Sequence, residues 1–234
     1  MIDWVRTILF SIVFYGVSVP VVLVAPIAGL FGKQAMRNYC NWWSSILRWS
    51  ARVFLGIRPV VTGHMPSGPM LFAAKHESLY EAIELTRMLG SPATVMKREL
   101  ADIPVWGWCT RQYGVIVIDR AGSAKALRGM MKSAKEAREE GRPVLIFPEG
   151  TRAPLDTRPE LRSGFAGLYR VLGLPVIPVA VRSGHAFTLH GAKHPGEIHF
   201  HFGEPIPPGL PRDEIERRVH EAINVLVQDG RAEA

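Results

Sequence analysis

An uncharged, apolar run of 26 residues lies near the start of the chain, from Thr7 to Gly32. As one straight helix it would reach about 39 Å, which exceeds the ~30 Å hydrocarbon core of a bilayer. Pro20 and Pro26 each remove a backbone donor, so a straight helix is not expected. A re-entrant or interfacial anchor is therefore favoured over a true membrane span. A signal peptide is disfavoured because the run is too long.

The next segment, from Gln34 to Leu55, has the periodicity of an amphipathic helix. Its apolar face comprises Met36, Tyr39, Cys40, Trp43, Ile46, Leu47, Ala51 and Phe54, and its polar face comprises Arg37, Asn41, Ser44, Arg48 and Arg52. Tryptophans beside arginines suit a helix lying among lipid headgroups, although an ordinary surface helix shows the same pattern. We expect residues 1–57 to form a membrane-docking helical hairpin.

The basic charge of the chain is concentrated in this N-terminal region. The net charge is +7, and no acidic residue lies between Asp3 and Glu77. Because the excess positive charge and the apolar run share the same third of the chain, an anionic membrane surface is a better partner than nucleic acid. Membrane lipids are thus expected as a partner, and nucleic acid is not.

After Arg58, short apolar runs alternate with helical stretches, which is typical of an α/β sandwich. The predicted strands are Pro59–Thr62, Met70–Ala74, Ala93–Met96, Val115–Ile118, Val144–Phe147, Val176–Val181 and Glu197–Phe202. The predicted helices are Ser78–Leu89, Ser123–Glu140, Gly164–Leu172 and Arg212–Gln228. We expect residues 58–228 to form one α/β catalytic domain, followed by a polar tail at 229–234.

A histidine lies two residues beyond the predicted strand MLFAA, with Lys75 between them. This residue is His76, and Glu81 lies five positions later, just inside the next predicted helix. If that helix folds back over the end of the strand, Glu81 can accept a hydrogen bond from the His76 ring. The other ring nitrogen can then act as a general base on a substrate hydroxyl. A buried structural histidine beside a helix-capping Ser78 is the alternative interpretation.

The stretch FPEGTR follows another predicted strand. Pro148 and Gly150 force a sharp turn, which presents Glu149, Thr151 and Arg152 at one end of the sheet. The Arg152 guanidinium suits bidentate binding of a phosphate. Glu149 can form an ion pair with that arginine or accept a hydrogen bond from the substrate hydroxyl. This turn is therefore predicted to be functional.

Two other stretches give weaker signals. Arg120 in GVIVIDRAG precedes a predicted helix, whose free N–H groups favour an anion, although such an arginine also suits a surface ion pair. Pro178 lies inside VIPVAV, which predicts an edge strand or a bulge. This fourth stretch is either the apolar wall of a ligand site or simply part of the core.

In their order and spacing, these stretches resemble the glycerolipid acyltransferase family over about residues 60–185. FPEGTR matches the family's phosphate-binding block at all six positions, and GVIVIDR and VIPVAV resemble its second and fourth blocks. By the same similarity, Lys97 in VMKREL would bind the acceptor phosphate together with Arg152. The resemblance implies a mixed sheet with helices on both faces, preceded by the membrane-docking hairpin.

The first block departs from the family pattern H-x-x-x-x-D, because Glu81 replaces the aspartate. Glutamate keeps the charge and adds one methylene, so the helix must lie slightly farther from His76. Glu77 is the alternative partner. The resemblance implies that His76 and Glu81 are catalytic, and that the substrate is bound by Lys97, Arg120, Glu149, Gly150, Thr151 and Arg152.

The activity that the resemblance implies is acyl transfer in phospholipid biosynthesis. A fatty acyl group would move from acyl-CoA or acyl carrier protein to the sn-2 hydroxyl of 1-acyl-sn-glycerol 3-phosphate (lysophosphatidic acid), giving phosphatidic acid. No cofactor is expected. The alternatives are another acceptor, such as a lyso-ornithine lipid or lysophospholipid, and a non-catalytic membrane adaptor on the same fold. The expected location is the inner membrane, with the catalytic domain on the cytoplasmic face.

Several other functional classes lack their signatures. The chain contains no G-x-S-x-G hydrolase motif and no glycine-rich nucleotide-binding loop. Cys40 and Cys109 form no C-x-x-C pair, which argues against a disulfide framework and a zinc site. His199 and His201 share one face of a predicted strand but lack a third ligand at firm spacing, so no metal site is expected.

Overall fold

Residues 1–118 and 124–228 are described by a computed structural model, in which seven strands form a single sheet. The strands are β1 (Ile57–Gly63), β2 (Leu71–Ala74), β3 (Ala93–Lys97), β4 (Ile116–Ile118), β5 (Val144–Ile146), β6 (Val176–Arg182) and β7 (Gly196–Phe202). Their order is β1-β7-β6-β2-β5-β3-β4. The run from β6 to β4 is parallel, β7 is antiparallel to β6, and β1 is parallel to β7. All the predicted strands are confirmed, and the sheet is mixed.

The helices are α1 (Ile2–Leu30), α2 (Lys33–Ser50), α3 (Leu79–Met88), α4 (Arg98–Ala101), α5 (Trp106–Tyr113), α6 (Ala124–Glu139), α7 (Gly164–Leu172) and α8 (Arg212–Ile223), and a π-helical turn, Ala51–Leu55, extends α2. The predictions for α3, α6 and α7 are confirmed to within about a residue at each end. The prediction for α8 was too long, because the helix ends before Asn224, a poor helix former. The short helices α4 and α5 were not predicted, since Pro104 and Gly107 break their pattern.

Helices cover both faces of the sheet, because successive strand residues point to opposite sides. On one face, Phe72 and Val179 share a buried cluster with residues of the first three helices, Phe14, Leu47 and Ile83. On the other face, Leu71 and Val176 share a cluster with residues of the last three, Met130, Phe165 and Val219. This arrangement confirms the expected fold class.

The first two helices form the predicted hairpin. The rings of Phe14 and Trp43 stack with centroids 5.9 Å apart, and the Trp43 indole donates to the Ser18 hydroxyl at 2.9 Å. The Tyr39 hydroxyl donates to the Val21 carbonyl oxygen at 2.8 Å. Prolines at positions 20 and 26 lie inside α1 without ending it. By length and composition α1 can cross a membrane, and most of its apolar side chains are exposed.

Two side chains assigned to the polar face of α2 lie elsewhere than predicted. Ser44 is buried, and its hydroxyl donates to the Asn41 carbonyl oxygen at 2.7 Å. The Arg48 side chain stays partly exposed but reaches α3, where its guanidinium donates to Glu84 Oε1 at 2.9 Å. Both differences have one physical cause: α2 packs directly against α3, so part of its polar face is an internal contact.

The prediction that Pro178 marks an edge or a bulge was wrong. The strand β6 lies between β2 and β7, inside the sheet. The Pro178 carbonyl oxygen accepts a hydrogen bond from the Gly203 amide at 2.9 Å, just past the end of β7 at Phe202. Because the nitrogen and carbonyl of one strand residue point to the same side, the missing N–H falls where the β7 ladder has ended. The whole of VIPVAV is buried.

Candidate active site

The candidate residues lie at one edge of the sheet, where neighbouring parallel strands end. His76 follows β2, the FPEGTR turn follows β5, and Lys97 ends β3. These three strands are adjacent in the order β2-β5-β3. With about 4.8 Å between neighbouring strands, their ends lie within about 10 Å of one another. Arg120, the remaining predicted residue, lies outside the described residues.

The side chains of His76 and Glu81 are in direct contact. The distance from His76 Nδ1 to Glu81 Oε1 is 2.9 Å. An ionised carboxylate can only accept, so Nδ1 carries the proton and Nε2 keeps its lone pair. The His76 ring also stacks on Phe147 with centroids 4.2 Å apart. The histidine side chain is 17% exposed, so it is held on two sides and still reaches solvent.

The Glu81 carboxylate is fully buried and surrounded by donors. Oε1 accepts hydrogen bonds from the backbone amides of Glu77 at 2.7 Å and Ser78 at 2.5 Å, besides that of the histidine ring. Oε2 accepts hydrogen bonds from the hydroxyls of Ser78 and of Ser183, the latter at 2.8 Å. A buried carboxylate needs such partners, because its desolvation is otherwise costly. The additional methylene is therefore accommodated within a complete set of hydrogen bonds.

Local sequence explains how Glu81 reaches back to the end of the strand. Ser78 is the N-cap of α3, and with Glu81 at the third helical position it forms a capping box. The N-terminus of a helix also favours negative charge. Burial alone would raise the pKa of Glu81, but hydrogen bonds and charge from His76, with those from Ser78, lower it below its usual value. The carboxylate is therefore ionised at neutral pH.

Glu77, the alternative partner, has a different role. Its Oε2 accepts hydrogen bonds from the backbone amides of Ser183 at 2.7 Å and Gly184 at 2.8 Å. Burial raises the pKa of Glu77, although these two hydrogen bonds oppose the shift. Glu77 thus holds the turn after β6, which carries the Ser183 hydroxyl toward Glu81.

Glu149 does not contact Arg152, contrary to one of its two predicted roles. Its side chain is buried; Oε1 accepts from Lys75 Nζ at 3.1 Å, and Oε2 accepts from the His76 backbone amide at 2.9 Å. Lys75 Nζ also donates to the Thr157 carbonyl oxygen and to Asn224 Oδ1, both at 2.8 Å. The reason is the direction of the turn, which places this carboxylate in the protein interior beside Lys75. Glu149 therefore holds the backbone of His76 in place through the hydrogen bond from its amide.

The rest of the FPEGTR turn faces outward. The Gly150 amide donates to the Phe147 carbonyl oxygen at 3.0 Å, and Gly150 has a φ of +70°, a conformation that favours glycine. Thr151 and Arg152 are exposed. Within the described residues, no hydrogen bond or ion pair engages the side chains of Arg152 or Lys97. Two cationic groups thus remain available beside the histidine.

Sequence reasoning missed three side chains that organise this site: Lys75, Ser183 and Asn224. A lysine directly after an apolar strand was a detectable signal for Lys75. The other two had none, because they contact the site only through folding of the last third of the chain. Within residues 1–118 and 124–228, no group of three or more His, Cys, Asp or Glu side chains can hold a metal ion. The geometry suits proton abstraction beside an anion-binding surface.

Comparison with known proteins agrees with this geometry. The family profile described as acyltransferase matches residues 58–182, more than half of the chain. The 1-acyl-sn-glycerol-3-phosphate acyltransferase of Pseudomonas aeruginosa is 36% identical over 159 residues, covering 67% of this chain and 62% of that protein. The chain thus spans less than two thirds of the length of that relative.

Two further similarities extend over more of the chain. The lyso-ornithine lipid O-acyltransferase of Pseudomonas aeruginosa is 28% identical over 207 residues, covering 80% of this chain and 77% of that protein. The crystal structure of the 1-acyl-sn-glycerophosphate acyltransferase of Thermotoga maritima superposes with a TM-score of 0.73 at 22% identity, covering 94% of both chains. The shared fold includes the N-terminal hairpin, since the match spans nearly all of the chain.

Proposed function

The chain belongs to the acyltransferase family, and from that premise we propose that it transfers a fatty acyl group to the sn-2 hydroxyl of 1-acyl-sn-glycerol 3-phosphate. The donor is a thioester, either acyl-CoA or acyl carrier protein, and the product is phosphatidic acid. The observation that carries the proposal is the His76–Glu81 pair, which opens to solvent at the same sheet edge as Lys97 and Arg152, whose cationic groups have no ion-pair partner among the described residues.

In the proposed mechanism, His76 Nε2 takes the proton of the acceptor hydroxyl. The hydroxyl oxygen attacks the thioester carbonyl carbon, and a tetrahedral oxyanion forms. Collapse of this intermediate breaks the carbon–sulfur bond, and the imidazolium returns its proton to the departing thiolate. Glu81 holds Nδ1–H throughout and stabilises the imidazolium by its charge.

The acceptor phosphate is proposed to bind Lys97 and Arg152, together with Gly150 and Thr151 of the FPEGTR turn. By family resemblance Arg120 contributes to the same site. A phosphate held there fixes the neighbouring hydroxyl close to the histidine, so much of the rate enhancement would come from positioning. Arginine adds bidentate geometry that a lysine lacks.

The N-terminal hairpin, residues 1–57, is proposed to dock the enzyme on the cytoplasmic face of the inner membrane. The apolar side chains of α1 that face away from the sheet support this proposal, as does the exposure of Trp42 and Trp49 on α2. Both cysteines are free thiols, which suits a reducing compartment. Residues 58–228 would form the catalytic domain, and the proposed polar tail, 229–234, lies outside the described residues.

A lyso-ornithine lipid is the second candidate acceptor. The supporting observation is the coverage of the lyso-ornithine lipid O-acyltransferase, which exceeds two thirds of that protein's length. The same histidine would deprotonate its hydroxyl. An ornithine headgroup carries no phosphate, however, so the cationic side chains of Lys97 and Arg152 at the sheet edge of His76 favour the phosphate-bearing acceptor.

The test is thiol release from a long-chain acyl-CoA by the detergent-purified protein. The acceptors compared are lysophosphatidic acid, lyso-ornithine lipid and none, and acyl carrier protein replaces CoA in a parallel set. We expect release that requires lysophosphatidic acid and falls at least ~10²-fold in the His76→Ala variant. Release with lyso-ornithine lipid alone would transfer the proposal to the second acceptor.

A pair of variants tests the proposed contact between Arg152 and the acceptor phosphate. Arg152→Ala is expected to raise the KM for lysophosphatidic acid on the order of 10- to 100-fold, because a charge-assisted hydrogen bond to phosphate is lost. Arg170→Ala, which removes an exposed arginine from α7, is the matched control. Equal kinetics in both variants would contradict a role for Arg152 in binding the acceptor.

A further inference from the structure

Exposed apolar side chains continue beyond the hairpin into the segment between β3 and β4. Leu100 is 47% exposed, Ile103 46%, Trp108 39% and Val105 37%. We call these four residues the 100–108 patch. They span α4, α5 and the turn between them, so one short stretch of chain presents four large apolar groups to solvent. A cluster of this kind marks a contact surface, because isolated exposed apolar residues need no explanation but grouped ones do.

The backbone of this segment is built to hold the patch outward. A Cβ on Gly107 would lie 2.0 Å from the Ala101 carbonyl oxygen, so only glycine lets α5 pack this closely on α4. Val105 has φ 62° and ψ −60°, and the Trp106 amide donates to the Pro104 carbonyl oxygen at 2.7 Å. This is a strained, positive-φ γ-turn at a β-branched residue. Such strain persists at sites where function requires it.

The patch is continuous with the apolar surface of α1. A Cβ on Gly29 would lie 2.5 Å from the Trp108 ring, which means that the indole rests directly on the helix backbone at this glycine. Near this contact in sequence, Ile27 and Leu30 of α1 are exposed, as is Phe31 just after the helix. The buried side of α5 packs on the hairpin through a cluster formed by Ala25, Met36, Cys109, Tyr113 and Val115.

The patch is also adjacent in sequence to the proposed phosphate site. β3 ends at Lys97, and α4 begins at the next residue. Leu100 thus follows the proposed phosphate-binding lysine by three positions. A surface that binds the patch therefore also lies close to that lysine.

We propose that the 100–108 patch is a second bilayer-contacting surface, which enters the interfacial region beside the α1–α2 hairpin and holds Lys97 at headgroup depth. The inference rests on the proposed membrane docking of the hairpin. The partner is a phospholipid bilayer, because the patch extends the apolar face of the helix long enough to cross a membrane. A tryptophan beside aliphatic side chains also suits the membrane–water boundary. The phosphate of a lysolipid would reach Lys97 while its acyl chain stays in the membrane.

Depth-dependent fluorescence quenching tests the proposal. An environment-sensitive thiol-reactive dye is placed at Ile103→Cys, at Leu23→Cys on α1, or at Glu221→Cys on α8, each in the Cys40→Ala/Cys109→Ala background. Vesicles of phosphatidylcholine and phosphatidylglycerol carry a nitroxide on the acyl chain. We expect quenching at positions 103 and 23 and none at 221, since α8 covers the opposite face of the sheet.

Two results would overturn the inference. Quenching at position 23 without quenching at 103 would refute the patch and leave hairpin docking intact. Absence of quenching at both positions would refute membrane docking itself, and the patch with it.

A second measurement keeps the natural cysteines. Leu100→Ser/Ile103→Ser should bind the same vesicles on the order of tenfold more weakly in flotation, because two apolar side chains no longer enter the interface. Val225→Ser, which removes an exposed valine elsewhere, is the matched control. Equal affinity of the double variant and this control would contradict the proposal.

Discussion

Glu81 Oε1 lies 2.9 Å from His76 Nδ1 in a pocket where every other partner of the glutamate is a protein N–H or O–H donor. The longer side chain does not weaken the contact, because α3 begins close enough for its third residue to fold back over the strand end. The departure from the aspartate pattern is thus accommodated by a capping box and by the hydroxyl of Ser183, which follows β6.

Replacement of Glu81 by Gln should abolish most of the activity. The amide is nearly isosteric, but it carries no charge to stabilise the imidazolium and presents an N–H₂ group among donors. We expect kcat for thiol release to fall at least ~10²-fold with little change in KM. Glu99→Gln, at an exposed glutamate of α4, is the control. A loss below about fivefold would show that the histidine does not depend on this carboxylate.

Removal of the Ser183 hydroxyl should affect His76 indirectly, through the contact of that hydroxyl with Glu81. Ser183→Ala leaves Glu81 Oε2 with one donor fewer in a fully buried site. The free energy of unfolding should fall by about 1–3 kcal/mol, and kcat on the order of tenfold. Ser45→Ala removes an exposed hydroxyl on α2 and should change neither quantity. A loss of stability with unchanged kcat would limit Ser183 to a structural role.

The buried ion pair of Lys75 and Glu149 should be costly to break from one side. Lys75→Met leaves a buried carboxylate without its cation, and we expect the free energy of unfolding to fall by about 3–5 kcal/mol. Lys75→Met/Glu149→Gln removes the charge as well and should recover part of that loss. Chemical denaturation measures both. Equal destabilisation by the single and double variants would mean that the charge contributes little.

The free energy of unfolding should depend on pH through Glu84, which pairs with Arg48 at the α2–α3 contact. Burial raises the pKa of Glu84 to about 7, although Arg48 opposes the shift. A raised carboxyl pKa means that the folded state binds the proton more tightly. The contribution of Glu84 to the free energy of unfolding is therefore largest below the unfolded value of 4.5 and is lost as pH rises through about 7.

The comparison that isolates this effect is Glu84→Gln. Between pH 4.5 and 7 the free energy of unfolding of the wild type should decline relative to that of the variant, as measured by denaturation at several pH values. A constant difference across that range would show that Glu84 keeps its ordinary pKa in the fold. A difference that grows in the opposite direction would mean that the charge of Arg48 outweighs burial in setting the pKa of Glu84.

Local patterns in the sequence were sufficient for most of the fold. Alternating apolar runs located all seven strands, and 3.6-residue periodicity located the hairpin and the helices α3, α6 and α7. His76 and the FPEGTR turn, which lie at the ends of predicted strands, were assigned to the site because sites in α/β proteins usually lie there, whereas Lys97 was assigned by resemblance to the family. Such features depend on neighbours in the chain, which is why the sequence reveals them.

Other features depended on which elements become neighbours in space. An inner strand tolerates Pro178 because β7 ends one residue before the position opposite this proline. Glu149 contacts Lys75 because the FPEGTR turn places its side chain in the protein interior. Ser183 reaches Glu81 across 102 positions of sequence. The sequence alone determined most of the helices and strands and the candidate histidine. Only tertiary structure decided what each buried charge contacts, because a buried polar group depends on whichever partners the packing brings within hydrogen-bonding distance.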